Sequence, residues 1–221
     1  MAEQYITLVT SLPYLPPFEK AERSPITRLR LEQRLHMLEP DDARQLVIAE
    51  ALVSWRMSLS KPKSDQEMLL RCRAALQDIS HPALREFVEF RLDQQTILAA
   101  LRQRKHLNES SFLEQVNGGS RWARVISSNW DSPDFKLAAV YPWIPQARTY
   151  IEANDAGALD RLMMGIIWEQ LSRIADSNRF GFEAVFAFVL KWDILQAWLA
   201  RDAGKAKSRF QELIKEVTNV S

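Results

Sequence analysis

Residues 182–200, FEAVFAFVLKWDILQAWLA, are the most apolar window of the chain and constrain its fold more than any other stretch. The length approaches that of a membrane span, but Glu183, Lys191 and Asp193 interrupt it. A charged side chain at a bilayer centre costs roughly 2.5–3.5 kcal/mol, so the window reads as a helix buried in protein. Phe182, Phe186, Phe188, Trp192 and Trp198 cover more of its circumference than one ordinary core stripe. Such a helix is either central to a core or partly a surface for a partner, and the core role is the simpler of the two.

The rest of the chain has to supply that surrounding core, and its patterning is helical too. Only 6 glycines occur in 221 residues, and Leu, Ala, Arg, Gln and Glu are abundant; straight side chains lose little rotamer freedom in a helix. Ser24-Pro25 reads as an N-cap with proline at the first helical position, opening a helix with Ile26, Leu29, Leu35 and Leu38 on its apolar face. Pro40-Asp41-Asp42 restarts the chain with carboxylates suited to a positive helix N-terminus. Ser64 to Glu67 has capping-box spacing and His81-Pro82 ends the helix it opens. From Pro82 to Lys105, residues Leu84, Phe87, Val88, Leu92, Ile97, Leu98 and Leu101 share one broad face. Ser132-Pro133 marks a further helix start, and YPWIP at 141–145 is expected to be extended or turning, because each proline restricts its predecessor. Apolar residues recur at helical spacing from Leu159 to Ile174. The last long helix is expected to end near Asp202, with a short one after Gly204. The β-branched and aromatic YITLVTSLPYL near the N-terminus suits a short strand or a helix equally.

With no βα alternation, the expected fold is all-α: a helical bundle or array of two similar helical units, with a short N-terminal strand as the one open element. Asn117-Gly118-Gly119-Ser120 is the clearest turn and divides an N-terminal unit, 1–117, from a C-terminal unit, 118–221, unless the two merge into one continuous domain. A weak repeat agrees with that division: Ile97-Leu98-Ala99-Ala100-Leu101-Arg102 aligns with Ile194-Leu195-Gln196-Ala197-Trp198-Leu199.

Charge and chemistry narrow the function classes. Residues 1–117 carry 16 basic and 16 acidic side chains and residues 118–221 carry 13 and 12, so neither half has the basic footprint of nucleic-acid binding. Cys72 is the single cysteine, which excludes an intrachain disulfide and fits a reducing compartment; MAEQYITLVTSLPYLPP lacks a basic segment leading into a long apolar run, so a cytoplasmic location is expected. His36, His81 and His106 stand on separate segments without metal-ligand spacing. The Asn-Gly-Gly-Ser turn lacks the Lys-Ser/Thr pair of a phosphate loop, there is no GxSxG elbow, and Asp41-Asp42 is better explained as a helix start than as an acid–base pair. No catalytic residue, cofactor or metal is expected. Trp122, Trp130 and Trp143 lie in irregular surroundings, as anchors for a protein partner or as packing for loops.

The stretch Arg91-Leu-Asp93-Gln-Gln-Thr-Ile97-Leu98-Ala-Ala-Leu101-Arg102-Gln-Arg104 remains, with polar groups set into an apolar helix. It resembles the helix of the V-type and A-type ATPase stalk-subunit family designated C or d, in which an acidic and a polar residue precede an aliphatic stripe and a basic end. Together with YITLVTSLPYL it is also similar to a little-characterised bacterial family encoded beside V-type ATPase genes. The resemblance implies a non-catalytic, all-helical spacer coupling the central stalk of a rotary ATPase to its proteolipid ring, cytoplasmic and peripheral to the inner membrane, meeting the membrane only through its partners in the complex. Members of the stalk-subunit family repeat a helical unit three times; this chain has room for about two. On this reading Asp93, Gln95, Arg102, Arg104, Trp192, Asp193 and Trp198 are the structural or partner-contact residues, with Asp93 and Gln95 hydrogen-bonding helix ends or a partner. The competing expectations are a helical adaptor with another partner, and an enzyme whose site is assembled from dispersed Arg, Trp and Asp residues.

Overall fold

In the computed structural model, residues 4–53, 76–107 and 121–218 are described, and side chains among them except those of 106, 107 and 202–218. The capping box at Ser64, Cys72 and the Asn-Gly-Gly-Ser turn lie outside these ranges. The described residues are all-helical: α1 (Ile6–Ser11), a 3-10 turn (Phe18–Lys20), α2 (Arg28–Leu35), α3 (Pro40–Val53), α4 (Pro82–Leu107), α5 (Ala123–Ser128), α6 (Ile144–Glu152), α7 (Ala156–Ser177) and α8 (Phe182–Thr218). None is both long and apolar enough to cross a membrane.

The chain forms two compact units, one of residues 1–43 with 171–221, the other of residues 44–170. This division does not follow the halves 1–117 and 118–221. α4, which precedes the Gly-Gly turn, packs against α5 and α6, which follow it, so long-range contact overrides the local loop signal.

In the first unit, YITLVTSLPYL gives a helix where a strand was an equal expectation. Thr10 Oγ1 donates to the carbonyl of Ile6 (2.8 Å) and Ser11 Oγ to that of Leu8 (2.7 Å), so hydroxyls unsuited to a helix interior are satisfied within its own turns. Leu8 is buried, and Pro13 ends the helix through the extended conformation of Leu12 (ψ 136°). α1 packs on α2 and α8, and the Tyr5 N–H donates to the Phe180 carbonyl at 2.9 Å. α2 is capped by Thr27 rather than Ser24: Thr27 Oγ1 accepts from the Arg30 N–H at 3.4 Å, while Ser24 Oγ donates to the Ile26 carbonyl at 2.7 Å. Moving the start to Arg28 buries Leu31 completely and turns Leu29 outward at 67 % exposure, which the expected apolar face did not anticipate.

α8 carries the apolar 182–200 window, and Phe182, Val185, Phe186, Val189, Trp192 and Leu195 are all buried in it. It continues through Gly204 to Thr218 in one piece, where a break was expected. One interior glycine costs only about 1 kcal/mol relative to alanine, too little to end a helix that its neighbours propagate.

The second unit is organised on α4. Leu84, Phe87, Val88, Leu92, Ile97, Leu98 and Leu101 are buried as the periodicity predicts, and the last three join a core with Ile126, Trp130, Phe135, Leu137, Tyr141, Trp143, Ile144 and Ala147. Full burial of each large aliphatic or aromatic side chain stabilises by roughly 1.5–3 kcal/mol. Ser132-Pro133 does not start a helix. Ser132 Oγ and the Lys136 N–H both donate to Asp134 Oδ1 (2.8 and 3.0 Å), forming a turn in which Phe135 and Lys136 adopt left-handed φ of 54° and 56°. At 141–145 the chain turns as expected, but Ile144 already begins α6, because Pro145 falls in the first helical turn, where a missing N–H breaks no helical bond.

Candidate functional site

The polar residues set into α4 lie on its inward side. Asp93 is 3 % exposed, Gln94 is fully buried, and Arg91 is 7 % exposed. Asp93 Oδ2 accepts from Arg121 Nε at 2.9 Å, from Trp122 Nε1 at 3.2 Å and from Tyr141 Oη at 2.9 Å. A second Arg121 nitrogen lies 2.9 Å away, making the guanidinium contact two-pronged. Trp122 Nε1 also lies 3.0 Å from Tyr141 Oη, and the two rings meet edge-on with centroids 6.0 Å apart. One carboxylate oxygen thus ties the middle of α4 to the start of α5 and to the segment leading into α6.

The electrostatics follow from this crowding. Burial raises the Tyr141 pKa, Arg121 pulls it back in part, and the Asp93 charge adds to the rise. Arg121 is held in its charged form by the Tyr141 hydroxyl and then, against a burial penalty, by the Asp93 charge. Because the Arg121 side chain is 61 % exposed, water screens this ion pair; the half-buried indole and the buried phenol carry more of the tie. A carboxylate oxygen that receives donors from three side chains braces the elements that carry them.

Two residues before Asp93, Arg91 donates to Gln94 Oε1 at 2.7 Å, and burial pulls the guanidinium down to about 10, still charged at neutral pH. Toward the C-terminus of α4, Arg104 donates to the carbonyls of Trp130 (3.2 Å), Ser132 (2.5 Å) and Pro133 (2.7 Å) and lies 4.6 Å from the centroid of the Phe135 ring. That clamp holds the left-handed turn, a conformation that costs a bulky residue about 1–3 kcal/mol when unsupported. Lys105 donates to the carbonyls of Ile151 (2.6 Å) and Glu152 (3.4 Å) and to Asn154 Oδ1. An ammonium there meets the negative end of the α6 dipole.

The other expected residues divide. Gln95 is half-buried and Arg102 is exposed; neither joins the Asp93 cluster. Trp192, Asp193 and Trp198 belong to the first unit. Trp192 is buried and its Nε1 donates to the Ile26 carbonyl at 2.9 Å, while Trp198 presents its ring edge-on to Phe18 at 5.2 Å. Asp193 is 6 % exposed. Trp130 and Trp143 are buried and Trp122 is half-buried, which makes these three packing for irregular segments of their own unit.

In the first unit Lys191 donates to Ser172 Oγ at 2.9 Å, and its pKa is lowered by burial, with Asp176 opposing. Ser172 lies inside α7, where backbone N–H groups serve the helix, so the pair acts as a tie between α7 and α8. The residues that sequence reasoning missed are Arg121, Tyr141 and Lys105. Their partners lie up to 49 positions away, as the Lys105–Asn154 bond illustrates, and no local spacing announces them.

Fold and site together define an all-helical protein whose conspicuous polar residues brace its own helices. Residues 60–221 match the family model described as "Protein of unknown function (DUF2764)", and the chain belongs to that family. No curated protein and no solved structure matches it.

Proposed function

We propose that the chain is a non-catalytic helical subunit or accessory protein of a V-type ATPase, coupling the central stalk to the proteolipid ring from the cytoplasmic side. The observation that carries this reading is the use made of the Arg91–Leu107 stretch. Its buried or half-buried polar residues Asp93, Arg104 and Lys105 bond to other parts of the same unit, so α4 is tied near its middle and near its end. Hydrogen bonds to charged groups contribute roughly 1.5–3 kcal/mol each, and a helix held at two places transmits a displacement to its neighbours instead of yielding locally. That mechanical role suits a coupling element and accords with the resemblance of the same residues to the rotary ATPase stalk family.

The test is affinity purification of the tagged full-length chain from gently solubilised membranes of its native host, followed by mass spectrometry. Recovery of rotary ATPase subunits at near-stoichiometric levels is expected. A clean preparation lacking them removes the ATPase assignment.

A further inference from the structure

The segment Leu12-Pro13-Tyr14-Leu15-Pro16-Pro17 joins α1 to the 3-10 turn and takes no regular secondary structure. Its backbone is nevertheless restricted. Proline rings set φ near −65° at three of the six positions, and Leu12, Leu15 and Pro16 each precede a proline and are driven to extended ψ. The two ends have polyproline II values, φ −74° and ψ 136° at Leu12 and φ −48° and ψ 131° at Pro17.

Three residues make one turn of such a helix, and burial follows that period. Leu12 and Leu15 are half-buried and Phe18 is buried; one position on, Pro13 and Pro16 are half-buried; one further, Pro17 is exposed and Tyr14 is 79 % exposed. Tyr14 is the most exposed large apolar side chain among the described residues, and its hydroxyl makes no hydrogen bond among them. The inward face is held by Phe18 against Trp198, so the ridge is fixed before any partner arrives. Beside it lies a polar cleft of about 570 Å³ bordered by Pro16 and residues 20–25. Lys20 and Arg23 there outnumber Glu22.

We propose that this Pro-Tyr-Leu-Pro-Pro ridge docks a protein partner through a groove of stacked aromatic rings bordered by carboxylates. Aromatic grooves recognise polyproline II ridges because the ligand loses little conformational entropy on binding. Tyr14 and Pro17 fill the groove, and the carboxylates face Lys20 and Arg23. The inference stands independently of the ATPase assignment, since it rests on a different segment and fits a partner inside or outside such a complex.

The experiment is photo-crosslinking of the full chain in its native host with Tyr14→p-benzoylphenylalanine, with the same probe at the exposed Gln33 as control. The expected result is one protein adduct specific to position 14, with the linked peptide containing aromatic residues that line a groove. Adding Pro13→Ala and Pro16→Ala lowers the yield about tenfold, as freeing two restrained positions implies. Adduct formation no greater than at Gln33, linkage to a second copy of the chain or to an aromatic-poor surface, or a yield unchanged by the alanines overturns the proposal. Thermal unfolding of each variant separates loss of docking from loss of fold.

Discussion

Tyr141 Oη donates to Asp93 Oδ2 at 2.9 Å across 48 residues of chain, in a buried setting. Trp122 Nε1 points at both oxygens, 3.2 Å from the carboxylate and 3.0 Å from the phenol. Three elements therefore depend on one carboxylate oxygen for their mutual placement.

Asp93→Leu is expected to lower the unfolding free energy by about 2–4 kcal/mol, because it leaves buried donors without their acceptor. Asp93→Asn retains an oxygen acceptor and loses the charge, so its cost is smaller. Urea denaturation of the two variants gives the comparison. A leucine variant with the wild-type midpoint and unchanged partner capture contradicts the bracing role.

Tyr141→Phe and Trp122→Phe test whether the cluster acts as a unit. Each alone is expected to cost about 1 kcal/mol. Because the indole contacts both the phenol and the carboxylate, the double variant is expected to deviate from the sum by at least about 0.5 kcal/mol. Strict additivity in a double-mutant cycle contradicts the shared geometry.

Arg104→Lys keeps the charge but not the fork that reaches three carbonyls. It is expected to destabilise by about 1–2 kcal/mol, a large share of what Arg104→Ala costs. Trp130, whose carbonyl the fork holds, reports the change through its fluorescence. A lysine variant matching wild type in stability and emission shows that only the charge matters at this position.

Tyr5 Oη donates to Asp42 Oδ2 at 2.5 Å and accepts from the Glu39 N–H at 3.2 Å. Burial, then the bond to Asp42, raises its pKa well above 10.0. A proton held more tightly in the folded state stabilises fully below the unfolded pKa and less as pH rises above it. The wild-type advantage over Tyr5→Phe is therefore expected to be full at pH 8 and to shrink between pH 10 and 11. Thermal unfolding across that range checks it; a constant gap means that Tyr5 ionises as freely folded as unfolded.

Helix content was legible from the chain because apolar spacing on α4, α7 and α8 is a local property, and the buried face of α4 came out residue by residue. Local signals misled where tertiary contacts outweighed them. Ser24-Pro25 has the chemistry of a cap, yet Ser24 is engaged by Gln196 Nε2 at 2.5 Å and the cap passes to Thr27. Ser132-Pro133 has the chemistry of a helix start, but Arg104 clamps that segment as a turn.

By itself, then, the sequence determined an all-helical chain with an apolar helix over residues 182–200 and singled out Gln95, Arg102, Asp93 and Arg104 on α4, of which the last two tie that helix to other elements. Only the tertiary structure decided their partners, Arg121, Trp122 and Tyr141 for the one and three turn carbonyls for the other, and how residues group into compact units. Periodicity reports which side of a helix is buried; the identity of the group opposite depends on long-range packing, which no spacing along the chain encodes.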